Sequence, residues 1–164
     1  MMLPSLPQPL VRRRGFAAVC IAAGLAVLLA TPPAAAQDVR LRALQGQQAL
    51  SEADLAQGAT ILVIWTSWSP HSRNVVARVN SLAERWGGRA RVVTVNFQED
   101  RGAVEGFLSG KGLSAPVFLD PDGSFSKKHK VTTLPCLLIF KDGQTVYNSR
   151  LPENPDAVIS EVLR

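Results

Sequence analysis

Hydrophobic positions follow two different periods in the segment between residues 60 and 97. The runs Thr60–Trp65 (TILVIW) and Arg91–Phe97 (RVVTVNF) are rich in β-branched and apolar residues. The first run is apolar on both faces, which is typical of a strand at the centre of a sheet that is covered on both sides. Between the runs, apolar residues recur at spacings of four, three and four and place one stripe on a helix that ends at Gly87-Gly88. The stripe consists of Val75, Val79, Leu82 and Trp86.

Shorter patterns predict further strands and helices on either side of this segment. Val39–Leu44 alternates apolar and polar residues and predicts a short strand, and Ser51 with Asp54 three positions later predicts a capped helix start. The remaining predicted elements are a helix over residues 101–111, a strand at Pro116–Leu119, a turn at residues 120–123, a strand at Cys136–Phe140, a hairpin connection at residues 141–144, a strand at Thr145–Tyr147 and a helix from about residue 154 or 155 to Leu163. Alternating strands and helices, followed by a hairpin and a helix, predict an α/β fold with a mixed central sheet and helices on both faces.

The first 36 residues have the organisation of a secretory signal peptide. The basic segment Arg12–Arg14 precedes the unbroken apolar segment Phe16–Ala30, and small residues form an A-x-A site at the end. We therefore predict a cleaved signal peptide at residues 1–36, one domain at residues 37–164, and a periplasmic or otherwise extracytoplasmic location. The alternative is an uncleaved anchor, but the apolar segment is shorter than the roughly 20 residues of a membrane-spanning helix. A lipoprotein signal would have to use Cys20, which follows a poor lead-in for lipidation.

Composition and charge narrow the classes of function. With 46% hydrophobic and 19% charged residues, the 164-residue chain suits one compact domain. Removal of residues 1–36 removes three arginines and no acidic residue, so the formal net charge falls from +5 to +2. The remaining part has no basic stripe with interleaved aromatic residues, so nucleic-acid binding has no support. Cys136 is then the single cysteine, and an internal disulfide is excluded.

Four motifs follow one another at characteristic spacings. They are WTSWSPHSR at residues 65–73, PVFLDPDG at residues 116–123, Leu134-Pro135 immediately before a strand, and the hairpin segment Lys141-Asp142-Gly143. In this order they resemble the thioredoxin fold and, more closely, the exported TlpA/ResA-type thioredoxins. The resemblance covers residues 39–164 and implies a thioredoxin-like fold.

The resemblance also identifies what the chain lacks. The family loop reads W-C-x-x-C, and its two cysteines map onto Ser69 and Ser72 of the segment Ser69-Pro70-His71-Ser72. A serine hydroxyl is far less acidic than a thiol and forms no disulfide, so thiol–disulfide exchange through this loop is excluded. The acidic residue that often follows the second cysteine in the family is missing as well, since Arg73 and Asn74 come next.

The resemblance implies that a binding surface remains. In the family, a cis-proline beside the loop, matched by Pro135, and the residue before it, matched by Leu134, form a groove for an extended substrate segment. Trp68 is expected to be partly exposed beside this groove, whereas Trp65 and Trp86 fit buried positions. We predict binding of an extracytoplasmic protein or peptide, either a redox-active relative or the substrate of one, without a cofactor. The residues expected on this surface are Trp68, Ser69, Pro70, His71, Ser72, Leu134 and Pro135.

Ser69, His71 and Ser72 can also be interpreted as a new nucleophilic site with His71 as the base. Such a site needs an orienting acid and an oxyanion hole, and no nearby residue in the sequence supplies the acid. His71 occupies a variable position of the family loop, which favours an exposed side chain. His129 lies in the basic cluster Lys127–Lys130, which predicts a solvated helix face. A metal site built from two distant histidines and one cysteine has no support, and no metal is predicted.

Cys136 allows two interpretations. It follows Pro135 and therefore lies near the loop in the resembled fold, which favours a reactive monothiol. It also alternates with other apolar residues along its strand, which favours a small buried apolar residue. Two functional hypotheses follow. The first is a redox-inactive protein that holds a partner, and the second is a monothiol or peroxide-reducing enzyme of cell redox homeostasis that uses Cys136 with an outside thiol as resolver.

Overall fold

The computed structural model of the protein describes residues 39–164, and the predicted signal peptide lies outside them. In this part of the chain, seven strands form one sheet in the spatial order β2-β1-β5-β4-β3-β6-β7. The strands are β1 (Leu41–Ala43), β2 (Ala49–Leu50), β3 (Ala59–Trp65), β4 (Arg91–Phe97), β5 (Val117–Asp120), β6 (Cys136–Lys141) and β7 (Gln144–Arg150). The helices are α1 (Glu52–Leu55), α2 (Val75–Trp86), α3 (Arg101–Leu108), α4 (Ser124–Lys128) and α5 (Pro155–Val162), with a 3₁₀ turn at Pro70–Ser72 before α2.

Parallel and antiparallel pairs are combined in this sheet. β4 lies parallel to β3 on one side and parallel to β5 on the other. β6 runs antiparallel to β3, and a hairpin adds β7 at that edge. β1 runs antiparallel to β5 and pairs with β2 at the opposite edge. The prediction of an α/β fold with a mixed central sheet is therefore confirmed.

The central strand β3 separates two hydrophobic layers. Its alternate residues Ile61, Val63 and Trp65 belong to a cluster with residues of α2 and α5. Leu62 and Ile64 belong to a second cluster, which includes residues of α1 and α4. All of these β3 side chains are fully buried, and burial of such a side chain contributes about 1.5–3 kcal/mol. The two layers explain why the run is apolar on both faces, and they confirm the prediction of helices on both faces of the sheet.

Local sequence signals account for several element ends. Val75 and Trp86 are the first and last residues of α2, and the whole predicted stripe on this helix is buried. Ser51 and Asp54 form a capping box at the start of α1, as predicted. In the hairpin between β6 and β7, Asp142 and Gly143 have φ of 50° and 83°, which matches a two-residue turn that needs positive φ at both central positions.

The structure also contains two short elements whose bounds the patterns did not predict. β2 has two residues and α4 has five, so neither is long enough to show a period. Backbone N–H groups at the start of α4 donate to the buried Asp120 carboxylate, those of Phe125 at 3.2 Å and of Ser126 at 3.0 Å. β7 extends beyond the predicted strand at both ends, and the pattern missed these residues because most of the strand is exposed and polar. α3 ends at Leu108 rather than at residue 111.

Candidate binding site at the loop between β3 and α2

The motif WTSWSPHSR forms the connection from β3 to α2. Ser69 caps the 3₁₀ turn, where its Oγ accepts a hydrogen bond from the backbone N–H of His71 at 3.3 Å. The backbone N–H of Ser72 donates to the carbonyl of Ser69 at 2.9 Å and closes the turn. Pro70 stands at the first position of this turn, where a proline is tolerated. The turn is separate from α2, however, which begins only at Val75.

The two serine hydroxyls of this loop are buried. Ser69 is 7% exposed, Ser72 is fully buried, and the Oγ of Ser72 has no hydrogen-bond partner among residues 39–164. His71 is exposed, and its imidazole makes no hydrogen bond to either serine in the described part of the chain. A serine nucleophile requires contact with a base, so this arrangement does not activate either hydroxyl.

Trp68 has the opposite environment. It is 68% exposed, which makes it far more exposed than Val146, the other large hydrophobic residue at the surface of residues 39–164. Trp65 and Trp86 are buried, and the indole N–H of Trp86 donates to Asp156 at 2.8 Å. The predicted environments of the three tryptophans are therefore confirmed. An exposed indole is the kind of amphipathic group that protein interfaces favour.

Leu134-Pro135 approaches the loop from β6. The peptide bond between these residues is cis. β6 begins at Cys136, which pairs with Ile64 near the carboxyl end of β3, and this register brings Pro135 beside the loop. Pro135 lines an open cavity of about 350 Å³ together with Pro70 and His71.

The predicted surface is therefore assembled only in part around this cavity. Trp68 and Leu134 do not line it, although Trp68 is exposed and Leu134 is half-buried. The hydroxyls of Ser69 and Ser72 lie below the surface. Pro135 is buried as well, so a partner at this site would meet Trp68, Pro70 and His71 rather than the two serines.

Glu99 is a residue of this region that the sequence patterns missed. Its carboxylate accepts hydrogen bonds from Thr66 Oγ1 at 2.9 Å, from the backbone N–H of Ser67 at 2.6 Å and from Asn96 Nδ2 at 2.6 Å, and it also accepts one from the hydroxyl of Ser67. β3 and β4 are parallel, so the polar residues that follow both strands meet at one edge of the sheet. The parallel pairing of β3 and β4 was the signal from which the place of Glu99 beside the loop was predictable.

The electrostatics of Glu99 indicate a structural role. Burial raises the pKa of this carboxyl, but the hydrogen bonds from Ser67, Asn96 and Thr66 outweigh burial and leave the pKa below its ordinary value. Glu99 is thus an acidic residue close to the start of the loop in space. None of the hydrogen bonds that Glu99 makes within residues 39–164 reaches His71, so this acid does not orient a histidine base.

Cys136 lies in the hydrophobic layer on the face of α1 and α4. It is 1% exposed, and its thiol donates to Asn148 Oδ1 at 3.4 Å. Burial raises the pKa of the Cys136 thiol to about 11, although a hydrogen bond with the backbone of Ser149 acts in the opposite direction. A protonated, covered thiol is a poor nucleophile, and these observations favour the packing interpretation.

The environment of His129 differs from the predicted solvated helix face. Its side chain is 11% exposed, its ring centroid lies 4.4 Å from that of Phe125 and 5.1 Å from that of Phe140, and its Nε2 is 3.1 Å from Glu52 Oε1. The prediction of a solvated helix face was wrong for His129 because the end of α4 turns this ring onto β6. Lys127, Lys128 and Lys130 are exposed.

No group of three histidine, cysteine, aspartate or glutamate side chains within residues 39–164 is placed to hold a metal ion. No helix in the same part of the chain is long and apolar enough to cross a membrane.

The sheet, the loop with Trp68 between β3 and α2, and Leu134-Pro135 before β6 define a thioredoxin-like protein related to thiol–disulfide oxidoreductases. Residues 32–163 match the model of the family described as Redoxin. Because the match covers most of the chain, the chain belongs to the redoxin family. No curated protein sequence matches it.

Solved structures with the same fold come from several bacteria. The chain is similar to the exposed lipoprotein thioredoxin of Streptococcus pneumoniae, with 20% identity and a TM-score of 0.65 over 76% of this chain and 97% of that one. It is similar to StoA of Bacillus subtilis, with 22% identity and a TM-score of 0.63 over 77% and 96% of the two chains. It is also similar to a secreted disulfide oxidoreductase of Mycobacterium tuberculosis, with 21% identity and a TM-score of 0.63 over 76% and 94%. These likenesses establish the fold.

Proposed function

We propose that this protein is an exported, redox-inactive redoxin that binds an extracytoplasmic protein through the surface around Trp68. The partner is a redox-active relative or the substrate of one. The proposal combines the absence of both loop cysteines, at Ser69 and Ser72, with the retention of the loop and of Leu134-Pro135 beside it. The exported location rests on the signal-peptide pattern in residues 1–36 and on the secreted or surface-exposed relatives of the same fold.

The observation that carries this proposal is the exposure of Trp68. An indole that is 68% exposed costs free energy in water, because about 25 cal/mol is lost for each Å² of apolar surface left unburied. Tryptophan is among the residues that contribute most to binding energy at protein interfaces. Its place in a loop whose hydroxyls are buried and unactivated favours binding over chemistry.

The alternative is a monothiol or peroxide-reducing enzyme that uses Cys136. The burial of this thiol and its pKa of about 11 oppose that function, since the attacking species is an exposed thiolate. In the folded state as described, Cys136 does not reach the surface near Trp68.

Capture of partners from the exported fraction tests the proposal. The wild-type protein is used as bait, the captured protein is identified, and its Kd is measured with purified components. We expect Trp68→Ala to weaken binding at least about tenfold, as for an interface hot spot. Leu134→Ala is expected to weaken it as well.

A matched control is available on β7. Val146 is also exposed, at 38%, but it lies on the edge strand. Val146→Ala should leave the Kd unchanged. If Trp68→Ala and Leu134→Ala capture the same partner with the wild-type Kd, the proposed binding surface is rejected.

A further inference from the structure

Positive charge dominates the cavity beside the loop. Of the described residues that line it, Arg73, Arg78 and Arg150 are cationic and Glu153 is the acidic one. The lining therefore carries an excess of positive charge even with His71 neutral. A cavity with one sign of charge favours ligands of the opposite sign.

Two of these guanidinium groups are available to a ligand. Arg73 and Arg150 are exposed, and neither makes a hydrogen bond or an ion pair with any side chain of residues 39–164. Arg78 differs, because its guanidinium donates to the backbone carbonyls of Leu151 and Pro152 and holds the chain before α5. Arg73 and Arg150 consequently supply charge that the fold itself does not use.

The start of α2 adds to this positive potential. Asn74, the N-cap of the 12-residue helix α2, lines the cavity and makes no capping hydrogen bond with its side chain. The first turn of the helix has no acidic residue. The unpaired N–H groups at a helix N-terminus carry a partial positive charge that an acidic residue in this turn would offset.

The cavity continues along α2 into a second one. A neighbouring cavity of about 320 Å³ shares Asn74, Arg78 and Glu153 with the first and extends to Arg85 and Asp156. Arg85 and Asp156 form an ion pair with each other, so this end is balanced in charge. The unbalanced charge lies at the end next to the loop, and the shared residues make the two cavities one elongated groove.

We propose that this groove takes an extended, acidic segment of the protein partner, with carboxylates against Arg73 and Arg150. Trp68 lies outside the groove, two residues before Pro70, and takes an apolar side chain of the same segment. The inference rests on the proposed partner-binding function and specifies the chemistry of the partner. Arginine favours carboxylates because its planar guanidinium donates two parallel hydrogen bonds to them. Single exposed ion pairs contribute little, so a small anion alone gains little here, whereas a peptide adds apolar contact with Trp68.

The test uses two short synthetic peptides with the purified protein. One has glutamate at alternate positions between leucine and serine, and the other has glutamine in place of each glutamate. Binding is followed through the backbone amide shifts of residues 68–73 and 134–150. We expect the acidic peptide to bind about tenfold more tightly than the neutral one at low salt, and the difference to shrink at high salt.

Substitutions of the two arginines test whether the preference for the acidic peptide arises in the groove. Arg73→Gln with Arg150→Gln should remove the preference for the acidic peptide. Arg42→Gln is the matched control, because Arg42 is an exposed arginine on β1, near the opposite edge of the sheet from β7. The inference is overturned if the acidic peptide binds no better than the neutral one, if Arg42→Gln has the same effect, or if inorganic phosphate at equal concentration displaces the peptide.

The captured partner distinguishes this inference from the function on which it rests. If Trp68→Ala weakens partner binding but Arg73→Gln with Arg150→Gln does not, the binding surface stands and the acidic preference is wrong. If neither change weakens binding, both are wrong. If both weaken it and Arg42→Gln does not, both are supported.

Discussion

At the scale of single residues, the fold keeps the one thiol of the described chain protonated and covered. Cys136 pairs with Ile64 on the central strand and packs in the layer on the face of α1 and α4. Its raised pKa follows from this burial. Reactive cysteines instead lie in exposed, electropositive places, such as the cavity that Arg73 and Arg150 line.

We expect Cys136 to react with iodoacetamide only when the chain opens. A pKa of about 11 instead of 9.0 lowers the thiolate fraction at neutral pH about a hundredfold, and burial blocks access in addition. The measurement is the alkylation rate in a Cys20→Ser background, in buffer and in urea. A rate in buffer within about tenfold of that in urea would restore the monothiol hypothesis.

The raised pKa of Cys136 also makes the stability of the fold depend on pH in the alkaline range. Because the folded pKa of Cys136 is raised, the native state holds the thiol proton more tightly than the unfolded state does. The resulting contribution to the free energy of unfolding is complete below about pH 9 and is lost as the pH rises toward 11. Cys136→Ala should therefore flatten the fall in stability over that alkaline range.

At the scale of elements, Glu99 joins the end of β4 to the residues that follow β3. Its carboxylate is hydrogen-bonded to Thr66 and Ser67, which lead into the loop, and to Asn96 at the end of β4. These bonds fix the start of the loop before Trp68. The orientation of Trp68 thus depends on a residue more than 30 positions further along the chain.

Glu99→Ala should destabilise the protein by about 1–3 kcal/mol at neutral pH, because it leaves buried donors without a partner. The folded pKa of Glu99 is depressed, so its contribution is full above the ordinary value of 4.5 and is lost as pH falls through the lower folded value. Urea unfolding of wild type and variant at pH 7 and near pH 3 measures the loss of stability and its dependence on pH.

The control for this experiment is Glu84→Ala. Glu84 is exposed on α2, and its carboxylate makes no hydrogen bond or ion pair within residues 39–164. Its replacement should change stability by less than about 0.5 kcal/mol. An equal loss for both variants, or a gap for Glu99→Ala that does not narrow in acid, would contradict the proposed role of Glu99.

Long and short elements differ in how well the sequence alone predicts them. Long periodic segments such as β3 and α2 were predictable because one repeated pattern fixes both the element and its buried face. β2 and α4 are too short for a pattern, and His129 was misplaced because its neighbours are lysines. Glu99 was missed because its partners come from two strands that only the parallel pairing brings together.

At the scale of the whole molecule, the framework does not depend on the chemistry of the loop. The two hydrophobic layers on either side of β3 consist of apolar residues from strands and helices, whereas Ser69 and Ser72 are buried polar residues of the loop. The loop side chains can therefore change while the sheet and the surface around Trp68 remain. We therefore expect that cysteines can be introduced at Ser69 and Ser72 without disturbing the sheet.

Ser69→Cys with Ser72→Cys should create a working dithiol. Side chains three apart in a 3₁₀ turn eclipse one another, and the hydrogen bond of 2.9 Å from the Ser72 N–H to the Ser69 carbonyl closes such a turn. A thiol at Ser72 also replaces a buried hydroxyl that has no partner among residues 39–164. We expect an internal disulfide in the double variant and, with dithiothreitol as the reductant, reduction of insulin at least about tenfold above background, as for a thiolate at a helix start.

The single variant Ser69→Cys separates turnover from simple thiol reactivity. It should form mixed disulfides with a substrate but fail to release them, because no second thiol resolves the bond. Wild type should reduce no insulin above background. If wild type instead matches the double variant, a thiol outside the loop performs the exchange and the chain is an enzyme; if the double variant stays inactive with its disulfide formed, the surface around the loop no longer admits a disulfide substrate.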